Sequence, residues 1–310
     1  MNPALATDSA FIIAGLVLLY FGAQLLVKGS EQLGYKLGFD TLVVGITFVA
    51  FGTSAPELAI TLDAVITGNP DLAVANIIGS NLANICLVVG LTTFLGTVSL
   101  PSSVVFRDMV FMLLAFIVLS IFLADSSLNR LEGLALFLGL VFYLGYRIIR
   151  SKHNGEQVEK HARELSYSWC LVYVFLGACM LGLGGDVLVT GASDMALHLG
   201  VSQTTIGLTV VAMGSSLPEI AASLYAARIG RGGIALGNVI GSNIWNSLGV
   251  LGIGAMFAPI RSSSLELHML AAMLGAGILL WLLLHTGSGL RARQGFLLIG
   301  GYLAYLAFTL

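Results

Sequence analysis

Long apolar runs, bounded by short polar clusters, recur along almost the whole chain. Cutting at those clusters and at Gly and Pro punctuation predicts ten helical spans, at about 9–33, 41–67, 71–99, 104–123, 128–149, 168–196, 203–229, 233–258, 264–284 and 290–309. Such lengths match or exceed the roughly 20 residues that cross a hydrocarbon core of about 30 Å. One stretch is plainly soluble, SKHNGEQVEKHARELS from Ser151 to Ser166, and it separates five spans from five. The expected organisation is a first five-helix unit over 1–150, a loop over 151–166 and a second five-helix unit over 167–310.

Composition names the solvent. With 57% hydrophobic residues, 10% charged residues and a mean hydropathy of +0.95, most of the surface has to face lipid. The expected fold class is therefore an all-α polytopic membrane protein, with membrane lipid as its surroundings. The first ten residues hold no Lys or Arg and the apolar run continues to Lys28, so the start reads as a first spanning helix and not as a cleaved signal. A net charge of −2 without a basic run argues against a nucleic-acid partner. Cys86, Cys170 and Cys179 lie in apolar segments without metal-type spacing and read as small core residues.

Lys and Arg near span ends are held on the cytoplasmic side. With both termini outside, inner loops take Lys28, Lys36, Arg107, Arg147, Arg150, Lys152, Lys160, Arg163, Arg228, Arg231, Arg291 and Arg293, twelve of the fourteen; Arg130 and Arg261 fall outside. The loop 151–166 is then cytoplasmic. Because five is odd, the second unit enters the membrane from the opposite side, and the two units form an inverted repeat.

The repeat is written in the residues. A shift of 162 positions carries Gly45–Gly90 onto Gly207–Gly252 with 21 of 46 positions identical and no gap. Identity falls on Gly, Ser, Asn, Pro and Glu, which a lipid-facing helix does not need. Glu57 and Glu219 each follow a proline inside the apolar run. Pro56 and Pro218 have no N–H, so the carbonyls of Gly52 and Gly214 lose their helical partners. Unpaired carbonyls in lipid are costly and persist where something polar replaces the lost bond. Discontinuous helices around a midplane site are the architecture expected of many secondary transporters; here the discontinuities are expected in spans 2, 3, 7 and 8.

Helical spacing selects the side chains that share a face. Thr53 and Glu57 stand at i and i+4, as do Ser215 and Glu219, Ser80 and Asn84, and Ser242 and Asn246; Ser54 and Ser216 lie one position further round. All are oxygen ligands without His or Cys, a set that selects hard cations such as Ca2+ or Na+ over zinc or copper. Two carboxylates with no Lys or Arg in spans 2, 3 or 8 must meet a mobile cation or take up protons.

Other residues have plainer readings. Ser54-x-x-Glu57 and Ser216-x-x-Glu219 match the capping box, which is compatible with ion binding where a half-helix restarts. Gly79 and Gly241 suit close helix packing. Asp63, near a span end, suits a vestibule. Asp186 aligns with Gln24 and reads either as a structural hydrogen-bonding group or as a proton- or ion-responsive one. His153, His161, His198, His268 and His285 read as solvated or interfacial. The Gly182, Gly184, Gly185 cluster has no preceding strand and reads as helix packing, not a nucleotide loop.

The paired motifs GTSAPE with AVANIIGSNLAN and GSSLPE with GNVIGSNIWN resemble the two alpha repeats of the sodium/calcium exchanger family, within the cation/calcium exchanger superfamily, and the likeness spans essentially the whole chain. It implies an electrogenic antiporter in the cell membrane that expels Ca2+ using inward Na+ flow, with no cofactor and with a monomer as the expected unit. The family's ion cluster falls on Ala50, Thr53, Ser54, Glu57, Ser80 and Asn84, and on Ala212, Ser215, Ser216, Glu219, Ser242 and Asn246. The alanines would lend backbone carbonyls. Spans 1 and 6, punctuated at Gly15/Gly177, Gly22/Gly184 and Gly38/Gly200, would form the sliding gate. One departure is that amides occupy both position 84 and position 246, where many relatives carry one Asp, so the site supplies −2, not −3. Calcium/proton exchange is the alternative transport reading. An intramembrane enzyme with paired carboxylates is the alternative from another class, disfavoured because acid and base roles need unlike environments.

Overall fold

The computed structural model describes residues 3–96, 102–153, 165–206, 210, 212–262, 265–285 and 289–309. Their main elements are helices α1 (Pro3–Leu37), α2 (Thr41–Thr53), α3 (Ala55–Ile66), α4 (Pro70–Thr92), α5 (Ser102–Phe122), α6 (Arg130–His153), α7 (Tyr167–His198), α8 (Leu217–Arg228), α9 (Gly232–Phe257), α10 (Leu267–His285) and α11 (Ala292–Thr309). Short turns at Gln203–Ile206 and Ala212–Gly214 precede α8. Strands β1 (Ser127–Leu128) and β2 (Ile260–Arg261) make one antiparallel pair.

Among the described residues, seven helices are long and apolar enough to cross a membrane, and α2 with α3 forms an eighth candidate bent by 45°. These match predicted spans 1, 3, 4, 5, 6, 8 and 9, with the bent pair at span 2. Span 10 coincides with α11, which does not join the seven. Span 7 runs through residues 207–209 and 211, outside the described residues, as does loop 154–164 with His161, Lys160 and Arg163.

The breaks differ from expectation in kind. Span 2 breaks at Ser54 (φ −84°, ψ 5°) and span 7 at Ser216 (φ −86°, ψ 0°), each two residues before its proline. Pro56 and Pro218 thereby sit in the first turn of α3 and α8, where a missing N–H costs little. Spans 3 and 8, by contrast, are unbroken. Neither carries a proline in its interior, and each absorbs its irregularity as a π-helical stretch, Asn84–Val88 and Trp245–Val250. π-bulges of this kind widen a helix by one residue and often mark functional sites; these begin at Asn84 and one residue before Asn246.

Burial sorts the helices. In their most apolar windows α4 and α9 are 72% and 83% buried whereas α7 is 22% buried, so the first two are interior and α7 faces outward. One apolar core joins α4, α5, α6, α9, α10 and α11, and a second joins α1, α2, α7 and α8. Side chains such as Ile121, Phe142, Phe175 and Phe296 point away from both cores, as a lipid-facing surface requires.

Helices α1 and α7 run antiparallel along their length, held close by glycine. A Cβ on Gly15 would stand 2.8 Å from the Gly184 carbonyl, and one on Gly22 would stand 3.0 Å from that of Gly177. Shifting residue numbers by 162 exchanges these two contacts. The Gly182–Gly185 cluster is indeed packing: Gly184 abuts α1, while Gly182 faces Pro56 and Gly185 faces Pro218.

Loop ends predicted to share a side of the membrane meet. At one end Asp40 caps α2 through Val43 N–H (2.8 Å) and pairs with Ser151 (3.1 Å), Arg147 bridges Asp108 (2.9 Å), Arg231 pairs with Glu31, and the Lys36 ammonium sits over the Tyr167 ring. At the other, Ser262 donates to Asp71 (2.8 Å), β1 pairs with β2, and His198 meets Asp8 (2.8 Å). His198 and His268 were expected to be merely solvated; both have a carboxylate neighbour, Asp8 and Glu266, brought by helix ends that the sequence separates or a turn that it leaves open.

Candidate cation site

The broken helices and the π-bulged helices converge at the centre of the protein. Glu57 and Glu219, each in the first turn of a restarted helix, are wholly buried and near enough to repel one another. A carboxylate there gains from the positive end of the helix dipole. Thr53, Ser54, Ser80, Asn84, Ser216, Ser242 and Asn246 are buried around them, Ser215 is half-buried, and Ala50 is buried on α2. Ala212 opens the short turn before the second break.

Hydroxyls line both carboxylates. Ser54 donates to Glu219 Oε1 at 3.4 Å and Ser242 reaches the same oxygen at 3.5 Å. Thr53 Oγ1 stands 3.1 Å from Asn238 Oδ1, 3.3 Å from the Ser242 hydroxyl and 3.3 Å from the Ala50 carbonyl. On the other side Ser80 and Ser215 meet at 3.1 Å beside Glu57. The contacts Thr53 with Ser242 and Ser215 with Ser80 exchange under the same 162-residue shift.

Much of the oxygen remains unused. Both carboxylate oxygens of Glu57, Oε2 of Glu219, the Ser216 hydroxyl and both amide ends of Asn84 and Asn246 complete no hydrogen bond within the protein. Each buried polar group left so costs about 1–3 kcal/mol. Protein interiors rarely tolerate that many in one place, unless a ligand repays them. Ser54 and Ser216 hold the N-cap position by place, yet neither hydroxyl caps its helix. The capping box of the sequence is thus not formed, and Ser54 turns to Glu219. No group of three or more His, Cys, Asp or Glu gathers among the described residues, which leaves a site of two carboxylates and neutral oxygens.

A supporting layer escaped the sequence argument. Asn76 donates to the Thr61 hydroxyl (3.3 Å) and to the Glu57 carbonyl (3.5 Å), and Asn238 donates to the Ser223 hydroxyl (2.9 Å). These pairs again correspond under the shift and tie the interior helices to the restarted ones. Asn81 donates to Ser247 at 2.9 Å, across the two units. The signal was present: Asn76/Asn238 and Asn81/Asn243 are identical in the two copies, and Thr61/Ser223 keep a hydroxyl.

Other expectations resolve variously. Cys86 and Cys170 are buried, whereas Cys179, read as a small core residue, is exposed on α7. Gly241 packs on Ile46 and Ala50, as close helix contact requires; Gly79 meets no such neighbour among the described residues. Asp186 is exposed on α7, and only its backbone carbonyl is engaged, by Thr190 at 2.9 Å, so it has no structural hydrogen-bonding role among these residues.

A helical membrane protein with a buried, two-carboxylate, all-oxygen pocket at paired helix breaks belongs to the class of membrane ion carriers. The family model for sodium/calcium exchanger proteins matches residues 8–149 and 169–310. The chain is 40% identical over 257 residues to a putative antiporter CaxA of Alkalimonas amylolytica, covering 80% of each, and 30% identical over 336 residues to the sodium/calcium exchanger MaX1 of Methanosarcina acetivorans, covering 95% of this chain and 96% of that one. The sodium-calcium exchanger NCX_Mj, soaked with zero Na+ and Ca2+, superposes with a TM-score of 0.85 at 29% identity, covering 99% of this chain and 100% of the other. This chain belongs to the sodium/calcium exchanger family. It is a bacterial or archaeal type of exchanger, a class of transporters and not of enzymes.

Proposed function

We propose that the protein exchanges Na+ for Ca2+ across the cytoplasmic membrane by alternating access, with Na+ influx driving Ca2+ efflux. The observation that carries this reading is the pair of fully buried glutamates, near enough to repel one another, with three of four carboxylate oxygens unpartnered. Two such charges in one desolvated pocket are tolerable when a cation sits between them. A divalent ion neutralises both, and sodium ions do so in its place. The ligand set we assign is Glu57, Thr53, Ser54, Ser80 and Asn84 with Glu219, Ser215, Ser216, Ser242 and Asn246, with Ala50 and Ala212 lending carbonyls. The Ala50 carbonyl accepts from Ser54 N–H (2.9 Å) and from the Thr53 hydroxyl (3.3 Å), and turning that hydroxyl to Asn238 would free a lone pair for an ion.

In this reading 1–150 and 167–310 are inverted five-helix halves, joined by the cytoplasmic loop 151–166, with both termini outside. Supporting it are the contacts exchanged by the 162-residue shift, Gly15 with Gly184 against Gly22 with Gly177, and Thr53 with Ser242 against Ser215 with Ser80. A two-fold relation between the halves requires such reciprocity. Helices α1 and α7 pair mainly with one another and lean on the breaks through Gly182 and Gly185, as a sliding gate would. An empty pocket carries −2 and resists closure, so the gate moves once Ca2+ or Na+ has compensated the charge. That rule couples the two fluxes.

The test is Ca2+ uptake into reconstituted vesicles loaded with Na+, with the pH gradient collapsed. Uptake under those conditions supports Na+ coupling; uptake that needs a pH gradient assigns the same two glutamates to proton exchange. Glu57→Gln and Glu219→Gln should each lower uptake to background while helix content by circular dichroism stays at the wild-type level. Normal transport in either variant would remove that glutamate from the site.

A further inference from the structure

A cavity of about 900 Å³ runs along α7 from Leu171 to Val189 and ends against the two helix breaks, where Gly52, Pro56, Gly214, Ser215 and Pro218 form its inner wall. It reaches the proposed ion pocket through Ser215, which hydrogen-bonds Ser80 and stands beside Glu57. Its lining is otherwise apolar, and Asp186 is the one charged side chain among the described residues that line it.

Leu171 to Val189 is nineteen residues of helix, a rise of about 27 Å at 1.5 Å per step, so the cleft crosses most of the hydrocarbon thickness. Asp186 lies within that span, three residues from its Val189 end. It is exposed to the cleft, and its carboxylate contacts no cation of the protein and no hydrogen-bond donor among the described residues. An ionised group at such depth needs water or a counter-ion. The cavity, at about 900 Å³, offers the room for water. A Cβ on Gly185 beside it would stand 3.6 Å from the Gly214 carbonyl, one of the two that the prolines leave without a helical partner. A carboxylate, a hydroxyl and a freed carbonyl thus line one cleft, and the hydroxyl stands beside Glu57.

We propose that Asp186 is a capture site for a hydrated metal cation in transit through the cleft to the Glu57–Glu219 pocket. This rests on the exchanger reading above. The carboxylate holds the ion loosely at the mouth of the route, and its charge raises the local cation concentration that Ser215 and Glu57 then draw upon. Its role is in the rate of loading and not in the affinity of the loaded state.

Asp186→Asn, Asp186→Glu and Asp194→Asn are compared in Na+-loaded vesicles by initial Ca2+ uptake, while external ionic strength is raised with choline chloride. Asp194 is an exposed carboxylate on the same helix that does not line the cleft. The expected result is roughly tenfold slower uptake for D186N at low ionic strength, a gap that narrows as salt screens the charge. D186E should restore the rate, D194N should leave it unchanged, and equilibrium Ca2+ binding by calorimetry should stay within twofold in D186N. Uptake by D186N that matches an active wild type overturns the capture site alone. So does equal slowing in D194N, or a salt-independent loss accompanied by weakened equilibrium binding. A wild type that binds Ca2+ and moves none overturns the exchanger reading and the capture site with it.

Discussion

Thr53 shows how much one small side chain carries here. Its hydroxyl stands within 3.3 Å of the Ala50 carbonyl, Asn238 and Ser242, and so links the end of α2 to the interior helix α9 beside Glu219. Thr53→Val keeps the shape and removes the oxygen. We expect the Ca2+ dissociation constant to rise roughly tenfold, equivalent to about 1.4 kcal/mol, by calorimetry on purified protein; an unchanged constant would remove Thr53 from the ligand set. Thr53 and the glutamates were legible in the sequence because proline, helical spacing and repetition all marked them. Asn76, Asn238, Thr61 and Ser223 were repeated too, but they act on neighbours fifteen positions away, across a turn between helices. No periodicity within one helix exposes that contact.

The helices differ in how they are held together. Between α5 and α6, Asp108 is 1% exposed, ion-paired with Arg147 (2.9 Å) and accepting from the Tyr143 hydroxyl (3.0 Å). Removing one partner of a buried pair leaves the other charge unpaired, a cost of about 3–5 kcal/mol. Asp108→Asn should therefore lower the melting temperature in detergent markedly, and a combined Asp108→Leu, Arg147→Met variant should recover much of the loss. Between α1 and α7 the contact is backbone against backbone instead. A side chain at Gly22 would lie 2.9 Å from Leu181 N and 3.0 Å from the Gly177 carbonyl. Gly22→Val should cost about 1–3 kcal/mol by overpacking, and exchange rate should fall with it because the pair can no longer stay in register. Normal rate and melting would show that the two helices tolerate separation.

Sidedness belongs to the assembled bundle. The positive-inside count predicts Ser127 in β1 outside and Ser166 before α7 in the cytoplasm. In a background with Cys179 replaced, Ser127→Cys should react with an impermeant maleimide in intact cells, and Ser166→Cys should react after permeabilisation alone. The opposite result would invert the orientation while leaving the fold intact. Contacts between loop ends already group by predicted side, Asp40 with Ser151 at one end and Asp71 with Ser262 at the other. Such contacts require an even number of spans between the partners.

Local chemistry was enough to announce a membrane protein, two copies of one motif, and breaks at Pro56 and Pro218, because apolar run length, repetition and a missing N–H are properties of short segments. Packing was needed to reveal that spans 3 and 8 stay continuous, since a helix without an internal proline can absorb an extra residue as a π-bulge in place of breaking. Packing likewise turned Ser54 from cap to partner of Glu219 and gave His198 its Asp8. It also opened the cleft beside Asp186. The last three depend on residues from the distant half of the chain, and which distant residue arrives is set by how helices stack, a choice that no local pattern encodes.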